Sequence, residues 1–183
     1  MAGDFVHDPG LLDALERLPT CAFTRVVWRV TWATRDPLAG GTGGGRWHPP
    51  GQAEILYTSL TEEGALAEIY HHLSKAPVFS SSHTRIAQIH VRAERVLEFA
   101  SVGALLAFGV SEDAFRRGDY ARTCEIGAAA RFLDIDALIV PSARAAAQNL
   151  VLFLDRLTPD SLTPGDIRDI NWPAYRESLK RRK

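Results

Sequence analysis

The sequence predicts an α+β fold, a single domain with mainly antiparallel central sheets and flanking helices. Strand-like and helix-like runs are mixed along the chain but do not alternate as regular βαβ units, which argues against a doubly wound parallel sheet. At 183 residues the chain is long enough for one domain with a real core and short for two. Apolar residues make up 46% and charged residues 23%, near the globular average. Neither an internal repeat nor a linker is visible.

The elements follow in order. Leu11, Leu12, Leu15 and Leu18 recur at helical spacing until Pro19 ends the run. Residues Arg25 to Trp32 (RVVWRVTW) are rich in β-branched and aromatic side chains and read as a strand. A long glycine- and proline-rich stretch, Arg35 to Gln52, follows; irregular segments of this length are usually functional or mobile. Glu54 to Ser59 is the second strand, and Thr61 caps a helix running to Leu73 with Glu62 and Glu63 in its first turn. After a polar break at Pro77 to His83, strands are expected at Thr84 to Val91 and Arg95 to Phe99. Helices are expected at Ser101 to Phe108, Glu112 to Arg116 and Asp119 to Leu133. Asp136 to Val140 and Leu150 to Leu154 are apolar strands, and a helix from Trp172 finishes the chain.

Bulk numbers exclude several classes. A net charge of −1 creates no global field toward nucleic acid or anionic lipid. Cys21 and Cys124 form no CxxC-type pair, which argues against a disulfide scaffold or a cysteine zinc site. The histidines show no HExxH spacing, and Glu68-x-x-His71 lacks the second copy a di-iron bundle needs, so no metal site is expected. The N-terminus lacks the apolar run of a signal peptide, and no segment reaches the length of a spanning helix. The expectation is a cytoplasmic protein.

Candidate chemistry centres on GGTGGGRWHPPG, residues 40–51. It fails as a Walker A loop because no GK[ST] follows, and fails as a dinucleotide fingerprint because the GxGxxG spacing is absent. Glycines still let backbone approach a ligand closely, and Arg46 offers a forked cation suited to phosphate or carboxylate. A flexible loop with a solvated arginine is the plain alternative, against which Trp47 stands as an apolar anchor. On the next helix, Leu66, Ile69, Tyr70 and Leu73 form the core face while Glu68 projects from the other side beside Gly64 and Ala65. That glutamate is either solvated or approachable by a ligand. Ser142, in Pro141-Ser142-Ala143-Arg144 after a buried strand, sits in no GxSxG elbow and reads as a cap or turn residue; Asn149 reads likewise as a turn residue. Arg29 lies mid-strand in apolar surroundings and needs a partner, either structural or a ligand's pyrophosphate. The tail Lys180-Arg181-Arg182-Lys183 complements a helix C-terminus.

Taken together, the strand arginine, the GGRW-x-PPG loop, the LY-T-S strand and the A-x-x-E helix, with DALIVPSARAAAQNLVLF, resemble the RES-domain family, named for an Arg, a Glu and a Ser. His48 stands where many relatives carry Asn. The resemblance covers the chain as a single domain over 1–183, with its best-matching core at about 25–155, an N-terminal helix in 1–20 and an extension over 156–183. It implies an ADP-ribosyltransferase-like fold and an enzyme that breaks the nicotinamide–ribose bond of NAD by phosphorolysis or hydrolysis, as the toxin of a toxin–antitoxin pair. NAD is then a substrate and inorganic phosphate a co-substrate, with no bound cofactor. Catalysis is expected from Glu68, Arg46 and Tyr57. Binding of the dinucleotide is expected from Arg29, Arg46, Tyr57, Ser142 and Asn149. A small Xre-type antitoxin is the implied partner, self-association is open, and neither nucleic acid nor membrane is contacted. The alternatives are a protein mono-ADP-ribosyltransferase and a catalytically silent partner-binding module.

Overall fold

The computed structural model describes residues 6–73, 83–143 and 146–181. The polar break at 77–82, Arg144 and the last two residues of the basic tail lie outside these. Helix α1 is Pro9–Glu16 and strand β1 is Cys21–Trp32. Strand β2 is Ile55–Ser59 and helix α2 is Glu62–Leu73. Strand β3 is Thr84–Glu98. Three helices follow, α3 (Val102–Leu105), α4 (Glu112–Arg117) and α5 (Ala121–Phe132). The chain ends with β4 (Ala137–Pro141), β5 (Gln148–Phe153), β6 (Leu162–Asp169) and α6 (Trp172–Arg181).

The sheet order is β1-β2-β5-β4-β3-β6 with β1 also paired to β3, so five strands close into a ring and β6 rides on β3. All pairings are antiparallel except β3 with β4. The mixed, mainly antiparallel single domain is thus as expected. Separate central sheets are not: one sheet curls shut, because the long β1 and β3 pair from Phe23–Ala93 to Trp32–Thr84 and bring the two sides together. The two strands expected between Thr84 and Phe99 are this single β3; its polar centre marks a face turned to solvent, not a break. Strand β6 was hidden by Pro164 and Gly165, both tolerated because it is an exposed edge.

Alternation along the strands produces two layers of core. Val27, Leu56, Ile89, Ala137, Ile139, Leu150 and Leu152 point into the ring. The opposite faces carry Leu138, Val140, Val151 and Phe153 toward α1 and α5, and Trp28, Val30 and Ile86 toward α2 and α6. Each side chain's parity therefore decides whether it lies inside the ring or under a helix. Thr61 does cap α2, accepting from the Gly64 N–H at 3.1 Å. Gly64 is there for close approach: a Cβ would strike Ser59 Oγ and come within 3.0 Å of Ala147, so glycine lets the first turn of α2 sit on the end of β2.

Candidate active site

Glu68 projects from α2 toward the ends of β4 and β5. Its Oε1 accepts hydrogen bonds from Ser142 Oγ at 2.9 Å and Asn149 Nδ2 at 2.7 Å. Two residues that sequence alone assigned to turns thus orient the carboxylate, and Glu68 Oε2 has no hydrogen-bond partner among the described residues. The acid is half-buried rather than solvated.

Beside it lies a cavity of about 130 Å³ bounded by Arg46, Tyr57, Glu68, Tyr120 and Asn149, with Trp47 and Val151 in its apolar wall. A second hollow of about 200 Å³ over Trp28, Arg29, Ala65 and Ile69 shares Tyr57 and Glu68 with the first. Strand pairing explains the pair. Asn149 and Trp28 both align with Ser59, so one space lies over the β2–β5 seam and the other over β1–β2.

The glycine loop is docked. Trp47 is 2% exposed. Its N–H donates to Tyr57 OH at 3.0 Å, and His48 Nδ1 lies 3.0 Å from the same hydroxyl. Cys124 Sγ donates to the Gly45 carbonyl at 3.1 Å. Helix α5 packs so tightly here that a Cβ on Gly127 would overlap the Trp47 carbonyl. Arg46 is consequently held in one pose. Its Nη1 donates to the Phe115 carbonyl at 3.0 Å, and its guanidinium stacks 4.2 Å from the Phe115 ring centroid and 4.7 Å from that of Tyr120. Both flat faces are covered, and the edge of such a guanidinium is the part whose geometry matches phosphate or carboxylate oxygens.

Burial sets the protonation states. Burial pushes the Tyr57 hydroxyl well above its ordinary range, so it stays neutral and acts by hydrogen bonding and by its ring. His48, 5% exposed, is shifted down by burial and is neutral. Burial also raises the Cys124 thiol, making it a loop fastener and a poor nucleophile.

Arg29 has a structural partner, one of the two that the sequence left open. It shares parity with Val27, so its side chain enters the end of the ring, on the face of β1 opposite Trp28 and α2. There Nη1 donates to the carbonyls of Pro37 at 2.6 Å and Ala39 at 2.7 Å. Burial, then the nearby Arg35 guanidinium, pulls its pKa down to about 10. One partner of this buried arginine is therefore the first half of the loop, and Arg29 also lines the second hollow together with Tyr57 and Glu68. Arg46, Tyr57, Glu68, Ser142 and Asn149 do come together. Phe115, Tyr120 and Gly127 were missed, since nothing local to α4 or α5 signals that they face a loop more than 60 residues earlier. Among the described residues no group of His, Cys, Asp and Glu is placed to hold a metal ion, and no helix is long and apolar enough to cross a membrane.

Comparison with known proteins adds to this geometry. The sequence profile of the RES domain family matches residues 26–173. The NAD(+) phosphorylase MbcT of Mycobacterium tuberculosis (strain ATCC 25618 / H37Rv) is 25% identical over 177 residues, covering 93% of this chain and 95% of that protein. The probable NAD(+) phosphorylase Rv3189 of the same organism is 29% identical over 153 residues, covering 80% and 73%. The crystal structure of the M. tuberculosis MbcT-MbcA toxin-antitoxin complex superposes with a TM-score of 0.82 at 26% identity, over 93% of this chain and 97% of that one.

Proposed function

This chain belongs to the RES domain family, and on that premise we propose that it cleaves NAD between nicotinamide and ribose, passing the ADP-ribosyl unit to inorganic phosphate or water, as the toxin of a toxin–antitoxin pair. The observation that carries the reading is Glu68, held through one oxygen by Ser142 and Asn149 with its other oxygen uncommitted, in a cavity that also presents Arg46 and Tyr57.

Breaking an N-glycosidic bond passes through a state with cationic character at the anomeric carbon. Nicotinamide leaves as the C–N electron pair collapses onto a ring nitrogen that already bears positive charge, so no general acid is required. Glu68 accepts from a ribose hydroxyl and stabilises the developing cation. A phosphate oxygen forms the new C–O bond, and hydrogen phosphate keeps its proton throughout. Arg46 meets the anionic part of the dinucleotide with its guanidinium edge, and Tyr57, neutral and rigidly bonded, supplies a ring for stacking. The same reading takes the architecture as ADP-ribosyltransferase-like and a small Xre-type antitoxin as the partner, supported by the toxin-antitoxin complex that the fold resembles.

Product identification tests this. Purified protein given NAD, with and without phosphate, is expected to release nicotinamide with ADP-ribose 1″-phosphate or ADP-ribose. Glu68→Ala is expected to lose turnover by at least about 100-fold, the scale of a lost electrostatic stabiliser, while still binding NAD. Equal turnover in both proteins removes Glu68 from its role, and label from NAD appearing on a protein band shifts the assignment to protein modification.

A further inference from the structure

We propose that the cavity between Arg46 and Asn149 is the nicotinamide subsite and that Asn149 Oδ1 reads the carboxamide by accepting its N–H. This rests on the NAD-cleaving reading and assigns the ring end of the substrate to one place in it.

Three observations converge. First, the orientation of the Asn149 amide is determined by its neighbour. A carboxylate only accepts hydrogen bonds, so the group 2.7 Å from Glu68 Oε1 is the amide nitrogen. The carbonyl oxygen is then fixed on the other arm. Second, that oxygen is buried without a hydrogen-bond partner among the described residues, on a side chain only 8% exposed. An unpaired buried acceptor is costly, and Asn149 lines the cavity that a ligand would enter. The missing partner is therefore a donor carried by the ligand. Third, the rest of the wall suits a flat ring: Trp47, Pro141, Ala143 and Val151 are apolar, and the volume of about 130 Å³ takes a single ring rather than a dinucleotide.

NAD holds two kinds of donor near its scissile bond, the carboxamide N–H and the ribose hydroxyls. Glu68 Oε2 is the acceptor for the hydroxyls. That leaves the carboxamide for Asn149, which lies on β5 two residues before Val151 and beside the apolar wall suited to the ring. Asn149 thus links the two ends of the scissile bond, donating to the acid and accepting from the leaving group. Ser142, which also donates to Oε1, serves as a positioning residue.

The test is a cross of enzyme against substrate analogue. In 3-acetylpyridine adenine dinucleotide a methyl ketone replaces the carboxamide, so the ring has no N–H to donate. The wild-type protein is expected to favour NAD over this analogue in kcat/KM by roughly tenfold to a hundredfold, the scale of leaving a buried acceptor unpaired. Asn149→Ala and Asn149→Ser are expected to turn over NAD more slowly and to lose that preference, since they lack the reading oxygen. Comparing ratios cancels both the analogue's intrinsic reactivity and any general weakening of Glu68. Equal kcat/KM for the two dinucleotides in the wild type, where no variant must fold, overturns the subsite alone. So does a preference that survives in both variants, which would assign Asn149 to the ribose. Turnover of neither dinucleotide, with or without phosphate, overturns the enzymatic reading and the subsite with it.

Discussion

The stretch between β1 and β2 is one run of sequence and two pieces of structure. Its first half, around Pro37 to Gly40, is tied from within the ring by Arg29, and by Arg35, which donates to the Gly40 carbonyl. Its second half, Gly45 to His48, is tied from outside the ring by α5, Tyr57 and Phe115. Each half has a mid-segment or neighbouring arginine, and the two cations have opposite fates. Arg29 spends its charge on backbone carbonyls in a buried setting. Arg46 is flanked by the Phe115 and Tyr120 rings and lines the cavity beside Glu68. Residue type is the same in both; strand parity and the identity of the neighbours separate anchor from reader.

Substituting the two arginines separately is the most direct way to break this contrast. Arg46→Ala is expected to raise KM for NAD by roughly tenfold to a hundredfold, the cost of losing charge-assisted hydrogen bonds to an anion, with a loss of thermal stability smaller than that of Arg29→Ala because one carbonyl rather than two loses its donor. Arg29→Ala is expected to do the reverse. It leaves two carbonyls without their donor at a cost of about 1–3 kcal/mol, seen as a lower Tm, with KM near the wild-type value in protein that remains folded. A large KM effect for Arg29→Ala at unchanged Tm would assign that guanidinium to the dinucleotide, through the hollow it lines with Tyr57 and Glu68.

Gly127→Ala sharpens the outer half of the comparison. The added methyl group would meet the Trp47 carbonyl, and overpacking of this kind costs about 1–3 kcal/mol. Because Trp47 adjoins Arg46, the variant is expected to lose stability and NAD affinity together. A melt and a KM at wild-type values would show that the loop and α5 are less closely fitted than the geometry states.

These contrasts also mark where the sequence was legible. The helix bearing Glu68 and its core face followed from spacing alone, and the cap at Thr61 followed from residue type. Ring closure did not, because it depends on pairing β1 with β3 across more than 50 residues. Nor did the fate of Arg29. In RVVWRVTW both faces are apolar, and both are buried, one inside the ring and one beneath α2 and α6, so alternation gave no hint of which face an arginine would enter. Ser142 and Asn149 entered as site residues only through family resemblance, and then as groups binding the dinucleotide rather than as partners of Glu68. Their own neighbourhoods describe turns, and the contacts that matter span 74 and 81 residues.

Tyr120 offers a smaller effect. Its ring covers one face of the Arg46 guanidinium while 40% exposed, a setting in which a cation–π contact contributes about 0.5–1 kcal/mol. Tyr120→Ala is expected to raise KM for NAD by about twofold to fivefold on that scale with kcat nearly unchanged, and Tyr120→Phe to restore it. In the Arg46→Ala background the same substitution should add nothing, since the pair acts as one unit. An independent additional loss there would mean that Tyr120 touches the substrate directly.

The subtlest consequence concerns pH and His48. Tyr57 OH accepts from the Trp47 N–H and can at the same time donate to His48 Nδ1, the arrangement in which that nitrogen is the unprotonated one of a neutral ring. Burial lowers the His48 pKa below its ordinary 6.5. A group whose folded pKa is depressed contributes stability that is present above the unfolded value and is lost as pH falls through the folded one. Below about pH 6.5 the unfolded chain takes up the proton first, and in the folded state protonation would charge a buried ring and remove the acceptor that Nδ1 offers Tyr57 in the neutral form. The second half of the loop should therefore loosen on acidification while the first half, tied by arginines, does not. His48→Asn, which can accept from Tyr57 without titrating, is expected to flatten the acid limb of both Tm and kcat/KM between about pH 7 and 5 relative to wild type. Parallel acid limbs in the two proteins would mean that His48 stays neutral for reasons other than its bond to Tyr57, and that the outer half of the loop owes its hold to α5 alone.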